Sequence, residues 1–391
     1  MKYIQKFTPE DIKQVWESGT DINLILPNKI VDLHSFIVYY SAVYMPEDST
    51  ANTWKCYPHN TSFIIDQLRI IVNGKEVCYI QEYNYLDAML KDLRGDDNYN
   101  NSTNGISTKF WEIDKTTDVI TSTSRNLYTN LAQPDDELCS ITNWLGFLNE
   151  GNRYLDCTNK RVEIQIRLAH PNILFNSNAV GTNTELSDKF LLKNIYGTIK
   201  ICDNDPEKLP DFEYVNYTCK IGQKCGNNKK TSLSLKIKKP TYWGVGTFLN
   251  DNRKNITKGD LLQLSDFDYS SGSITSTYQQ IDNAKILLNN SKYFSRNGGG
   301  IDTTFWEINN YQVTPLMNNL MIMNETKSLF NTEYELCKTP FHFQNEFFVN
   351  GLDISINDDE LKNIQWNVNI QQNYKSLIGT PVMFICYKDK L

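Results

Sequence analysis

The chain has 391 residues, of which 40% are hydrophobic, 22% charged and 12% aromatic, led by 22 Tyr and 18 Phe. That length suits two domains of about 195 residues, and the aromatic and β-branched content favours strands, so an all-β protein is expected. A net charge of −7 and a pI near 5.3 exclude a chain built to hold nucleic acid on a basic surface, because phosphate binding needs a basic patch.

The N-terminal run Met1-Lys2-Tyr3-Ile4-Gln5-Lys6 lacks the apolar core of a signal peptide, and no run reaches transmembrane length, so folding in a reducing compartment is expected. Thr8-Pro9-Glu10-Asp11 carries an N-cap threonine, a proline at the first helical position and acids in the first turn. Ile12, Val15 and Trp16 follow at helical spacing until Ser18-Gly19. The pattern predicts a short amphipathic helix within an N-terminal arm, 1–20.

Strand signals begin at Asp21–Pro27 and Ser35–Tyr44, and continue at Ser62–Val72, which ends in Asn73-Gly74. That dipeptide is the strongest two-residue hairpin signal and makes Lys75–Gln81 the partner strand. Tyr83–Leu93 puts Leu86, Met89, Leu90 and Leu93 on one helical face before Arg94-Gly95, which predicts a helix. Residues 95–135 are polar and rich in Asn, Asp, Ser and Thr, and so long a loop inside a compact domain is usually functional or flexible. Strands resume at Cys139–Leu148. Arg161–Ala169 alternates strictly, with Val162, Ile164, Ile166 and Leu168 on one face and Arg161, Glu163, Gln165 and Arg167 on the other, the mark of a half-buried strand. Ile195–Cys202 closes the first half, and Asp203-Asn204-Asp205-Pro206 through Pro210 reads as a linker.

The second half repeats the style, with strand candidates at Phe212–Ile221, Thr231–Lys238, Thr241–Leu249, Tyr278–Leu288, Asn318–Met323, His342–Val349, Ile364–Ile370 and Pro381–Tyr387. Eight antiparallel strands per domain with long loops match a jelly roll. The lysines at 229, 230, 236, 238 and 239 read as solvated strand edges or turns, where lysine discourages stray pairing. The domain reading is 1–20 arm, 21–203 first jelly roll, 204–211 linker and 212–391 second jelly roll.

Two internal echoes support a duplication. Gly105-Ile106-Ser107-Thr108-Lys109-Phe110-Trp111-Glu112-Ile113 matches Gly300-Ile301-Asp302-Thr303-Thr304-Phe305-Trp306-Glu307-Ile308, and Ile65–Asn73 matches Ile281–Asn289 in aliphatic register. Self-similarity at half the chain length indicates two copies of one domain.

Chemistry-bearing patterns are sparse. The nine cysteines (56, 78, 139, 157, 202, 219, 225, 337, 386) are odd in number with no Cys-x-x-Cys pair, so neither a disulfide framework nor a thiolate zinc site is expected. His34, His59, His170 and His342 are scattered, Gly298-Gly299-Gly300 lacks the Lys-Ser or Lys-Thr of a phosphate loop, and no Gly-x-Ser-x-Gly elbow occurs. The acidic pairs Asp96-Asp97, Asp135-Asp136 and Asp358-Asp359 and the recurring Glu112 and Glu307 are the only carboxylates with a claim on glycoside chemistry. They read as turn and packing residues. No catalytic residue, no cofactor-binding residue and no metal ligand is expected. The sequons at Asn60, Asn100, Asn101, Asn216, Asn255, Asn289 and Asn324 read as by-products of 45 asparagines.

The run Ile64–Val77, continuing through Ile80, Tyr83-Asn84 and Leu86–Leu93, resembles the first jelly roll of double jelly-roll major capsid proteins. So do Trp144-Leu145-Gly146-Phe147-Leu148, Leu168–Phe175 and Asn194–Ile199. The resemblance is to the polinton-like virus, virophage and adintovirus members of that family, and it is clearest over residues 60–200. It implies a structural, non-enzymatic protein of the virion shell, assembled inside the host cell and not secreted, whose homotrimer fills a pseudo-hexagonal lattice position. It further implies contacts with neighbouring trimers, penton and minor capsid proteins, and no sequence-specific nucleic-acid binding. The long loops, 95–135 and 250–277 or 289–312, would face outward or clasp neighbours. The N-terminal helix would sit at the inner base against a membrane, a minor protein or an adjacent trimer. The alternative is a two-jelly-roll glycan hydrolase or carbohydrate-binding protein, with Trp54, Trp243 or Trp306 as aromatic platforms.

Overall fold

The computed structural model describes residues 3–11, 13, 15–45, 55–56, 61–94, 137–169, 176–177, 189–202, 209–223, 230–250, 281–288, 304–309, 349–353, 364–372 and 379–391. The first half contains β1 (Tyr3–Phe7), β2 (Trp16–Glu17), β3 (Asp21–Ile25), β4 (Ile30–Met45), β5 (Lys55–Cys56), β6 (Ile65–Val72) and β7 (Lys75–Gln81). Helix α1 (Tyr83–Arg94) follows, then β8 (Glu137–Ile141), β9 (Tyr154–Asp156), β10 (Val162–Leu168), β11 (Asn176–Ser177) and β12 (Lys189–Ile201). The second half contains β13 (Glu213–Ile221), β14 (Lys230–Ile237), β15 (Thr241–Asn250), β16 (Ile281–Leu288), β17 (Thr304–Asn309), β18 (Val349–Asp353), β19 (Ile364–Gln372) and β20 (Gly379–Lys390).

The principal sheets run β1-β12-β4-β8 and β3-β10-β6-β7 in the first half, and β13-β20-β15-β18 and β14-β19-β16-β17 in the second. Strands β2 and β9 attach to β12 and β4, and β5 pairs with β11. With the eight principal strands of each half numbered in chain order, both halves read 1-8-3-6 in one sheet and 2-7-4-5 in the other. That is the jelly-roll order, twice.

Sequence and sheet agree where local chemistry is strong. Asn73 and Gly74 take φ of 51° and 81°, the left-handed pair that a tight hairpin needs, and β6 and β7 pair across them. Strand β10 alternates as expected, burying Val162, Ile164, Ile166 and Leu168. Ile22 and Leu24 on β3 and Leu68 and Ile70 on β6 complete that inner face, and Val31, Val38, Tyr40 and Ile199 from the other sheet share the same core. Leu86 and Leu90 of α1 are buried in it as well.

The predicted N-terminal helix does not form. Residues 3–7 pair with β12 from Tyr3 opposite Ile201 to Phe7 opposite Gly197. Residues 16–17 pair with the same strand, and the Glu10 N–H donates to the Asn23 carbonyl at 2.9 Å. An isolated helix of about ten residues is marginal in water, so the cap signals lose to sheet pairing. Phe7 lies over Gly197, where a Cβ would come within 2.6 Å of its ring, and Trp16 is buried in the core.

Three further expectations change. The strand predicted over Cys139–Leu148 stops at Ile141, and Gly146–Leu148 forms a 3-10 turn. The Phe-Trp-Glu-Ile segment of the second half is strand β17, although it was expected within an outward loop. Its neighbour β16 answers to β6, each being fourth in its half, so the second echo marks equivalent strands. The first echo does not: β17 answers to β7, whereas 105–113 follows α1 and lies outside the described residues. The candidates Asn318–Met323 and 342–348 and the loops 95–135 and 251–277 also lie outside them.

Candidate functional site

Among the described residues, those with a claim on chemistry are not brought together. Glu307 stands in β17 opposite Lys285, while Glu112, the three acidic pairs, His59, His170 and His342 lie outside the described residues. His34 rests its Nε2 3.3 Å from the Gly151 carbonyl oxygen. Trp243 is buried against Tyr217 at 5.8 Å, so it is no exposed platform; Trp54 lies outside the described residues. Among the described residues no group of three or more His, Cys, Asp and Glu is set to hold a metal. Burial pushes the Cys78 and Cys157 thiols up to about 12, the environment of an inert thiol. The Asn216 sequon is buried, its amide donating to the Val77 carbonyl.

Polar contacts also join the two halves at a seam. There the turn after Trp144 reaches across to β13. Gly146 opens the turn at φ 69°, and a Cβ on it would meet the Val215 carbonyl oxygen at 3.3 Å. The Glu150 carbonyl accepts from Val215 N–H at 2.7 Å, and Asn152 N–H donates to the Glu213 carbonyl at 2.8 Å. The Asn152 side chain returns a bond from Glu213 N–H at 2.9 Å. Gly151 bridges Tyr214 so closely that a Cβ would stand 2.5 Å from the Glu213 carbonyl oxygen. The turn therefore acts as a short extra strand on the edge of the second jelly roll.

Side chains seal the contact. The Glu150 carboxylate accepts from Gly146 N–H and from the Tyr217 hydroxyl, each at 2.6 Å, tying its own turn to β13. Tyr214 O–H and Asn216 Nδ2 both donate to the Val77 carbonyl, at 2.9 and 3.0 Å. Phe147 packs between Phe212 and Tyr214 with ring centroids 4.9 and 4.8 Å away, and Tyr85 stacks on Phe384 at 6.2 Å. Burial raises the phenol pKa of Tyr214 and Tyr387, and of Tyr83, which accepts from Leu145 N–H at 3.0 Å. These hydroxyls therefore stay neutral. One apolar core, running from Trp16 to Cys386, crosses the seam.

No protein-family model and no curated protein matches the chain. Solved structures do. Over 100% of its length it is similar to PBCV-1 VP54 fitted into a reconstruction of the virophage Sputnik, with TM-score 0.59, 9% identity and 94% of that chain covered. It is similar to the Faustovirus major capsid protein, with TM-score 0.55, 10% identity, and 100% of this chain and 90% of that one covered. The mavirus major capsid protein follows at TM-score 0.51 and 10% identity, covering 99% of this chain and 87% of that one. The fold is the double jelly roll of viral major capsid proteins. In this double jelly roll the seam joins the two halves, and sequence reasoning missed most of it. Gly146 and Phe147 stood in the family-like run Trp144–Leu148, but nothing in the sequence paired Glu150, Gly151 or Val77 with β13. The one available signal was Gly146 and Gly151 bracketing Phe147-Leu148-Asn149-Glu150 outside any hairpin pattern.

Proposed function

We propose that this chain is the major structural protein of an icosahedral virus shell and that three copies form a pseudo-hexagonal capsomer. The observation that carries the reading is the repeated strand order of the two halves, joined by a hydrogen-bonded seam. One chain thereby supplies two similar lobes held at a fixed relation, and a closed threefold ring of such chains presents six. The similarity to capsid proteins over nearly the whole chain supports the same reading, together with a virion location. Strands of the first half run from Tyr3 to Ile201 and those of the second begin at Glu213, which supports a second jelly roll over 212–391 with 204–211 before it, and a first jelly roll that begins with β1 rather than at residue 21. Strands β1 and β2 belong to the first lobe, so a membrane or minor-protein contact through an N-terminal helix is not part of the proposal. Neighbouring trimers, penton and minor capsid proteins remain the proposed partners, without direct sequence-specific nucleic-acid binding. No observation favours a glycan hydrolase or carbohydrate-binding protein, and the role is structural rather than enzymatic. Light scattering of the purified protein tests the assembly: three copies of 45.3 kDa give a species near 136 kDa, whereas a monomer at every concentration contradicts it.

A further inference from the structure

The sheets that hold the same place in each half differ on their outer faces. Strand β12 alternates, with Ile195, Ile199 and Ile201 buried and Tyr196, Thr198 and Lys200 half-buried, so one face meets the core and the other meets solvent. Its counterpart β20 does not alternate. Val382, Met383, Phe384 and Ile385 are each 0% exposed and Cys386 is 3% exposed. Successive side chains of a strand point to opposite faces, so β20 is covered on both.

The first half supplies the outer cover. In register, Tyr217, Cys386 and Trp243 form one row across β13, β20 and β15, and the Tyr217 and Trp243 rings lie 5.8 Å apart. Tyr217 O–H donates to the Glu150 carboxylate at 2.6 Å. The next residue of β20 on that face, Phe384, stacks on Tyr85 of α1 at 6.2 Å. The turn at Glu150 and helix α1 therefore lie over one apolar face of the second half. Met383 and Ile385 are left for the side of β14, whose Leu233 and Ile237 are buried in the same core.

Helix α1 takes its own support from the first half. Leu86 and Leu90 are buried, the Ser62 hydroxyl donates to the Asp87 carboxylate, and the Tyr83 hydroxyl accepts from Leu145 N–H at 3.0 Å. Trp144, at the base of the turn, donates its indole N–H to the Phe36 carbonyl at 3.1 Å. We infer that α1 and the turn 146–152 form a strap, held by the first jelly roll, on which the fold of the second depends, and that the dependence runs one way. Opening of the first half bares Tyr217, Trp243, Val382, Phe384 and Cys386 together, a contiguous apolar face that a sheet does not keep in water. Opening of the second bares Tyr85 and Phe147 but leaves the apolar interior between β3-β10-β6 and β4-β12 closed. A chain whose second lobe is folded therefore always carries a folded first lobe.

Amide hydrogen exchange of the full chain tests this without any substitution. In rising urea the amides of β13, β15 and β20 are expected to lose protection as one unit, at lower urea than those of β6 and β10. Loss at the same urea, or earlier loss in β6 and β10, overturns the inference. Substitutions then test the direction. Because the first half opens only when the second is already open, Ile385→Ala is expected to speed exchange in β20 and in β10 by the same factor, roughly tenfold or more. Tyr85→Ala, which removes the ring over Phe384, is expected to give the same pattern. Ile164→Ala, inside the first half, is expected to speed exchange in β6 and β10 and leave β20 at its native rate. An Ile385→Ala chain with native exchange in β10 makes the lobes independent, and an Ile164→Ala chain with faster exchange in β20 makes them one cooperative unit; either result overturns the one-way dependence. Native exchange of β20 in Tyr85→Ala overturns the strap.

Discussion

Replacing Gly151 with alanine would drive a methyl group into the strand that opens the second jelly roll. The added Cβ would lie 2.5 Å from the Glu213 carbonyl oxygen and 2.7 Å from both Tyr214 Cα and Cβ, and carbon–oxygen contacts below about 3.0 Å lie inside the van der Waals wall. The obstacles are backbone, so β13 itself must retreat by roughly an ångström. That movement carries the Val215–Glu150 and Asn152–Glu213 backbone bonds, now 2.7 and 2.8 Å, past useful length. Each lost bond costs about 1 kcal/mol, and more if its groups stay buried, so the expected loss is roughly 2–4 kcal/mol. Urea unfolding of the two proteins reads it as a lower midpoint at unchanged slope. Amide hydrogen exchange should speed up at Val215 and Asn152 before the β6–β7 hairpin is affected. Gly74→Ala is the control: its Cβ would have open space around it, and only the positive φ of 81° resists, at about 1 kcal/mol. A Gly151→Ala midpoint that matches the native protein, or a smaller loss than Gly74→Ala, would refute the seam as drawn.

Other tests follow from single groups. The Asp156 carboxylate accepts from the Thr158 hydroxyl at 2.6 Å and from the Thr158 N–H at 2.9 Å, and the hydroxyl is the larger cause of a pKa held below the ordinary 3.8. A depressed carboxylate pKa stabilises the fold above its unfolded value and loses that contribution as pH falls through the folded one. Thr158→Ala should therefore be less stable than the native chain at pH 7, with the gap narrowing below pH 3.8; a gap independent of pH would contradict this. Cys78 and Cys157, with pKa pushed up to about 12 by burial, should stay unmodified by iodoacetamide at pH 8 and react once the chain is unfolded, as read by peptide mass spectrometry. Modification of either thiol in the native protein would contradict their burial.

What was legible in the sequence is what short-range chemistry decides. Asn73-Gly74 announced the β6–β7 hairpin, the alternation of 161–169 announced β10, and the aliphatic match of 65–73 with 281–289 marked strands that hold the same place in each half. The N-terminal arm was misread because Thr8-Pro9-Glu10 is a sound cap, and the competing partner, β12, lies nearly two hundred residues away. Phe305-Trp306-Glu307-Ile308 was seen as a motif but not as a strand, because it offers little alternation and its pairing with Asn283–Leu287 is invisible locally. The seam was hidden for the same reason: Glu150 and Gly151 resemble any turn until Glu213–Tyr217 is laid beside them.

Negative-stain imaging of the associated species tests the central claim most directly. Class averages down the threefold axis should show a hexagonal outline of six similar lobes, two from each chain. Three lobes, an elongated dimer, or isolated two-lobed particles at every concentration would contradict a capsomer-forming protein.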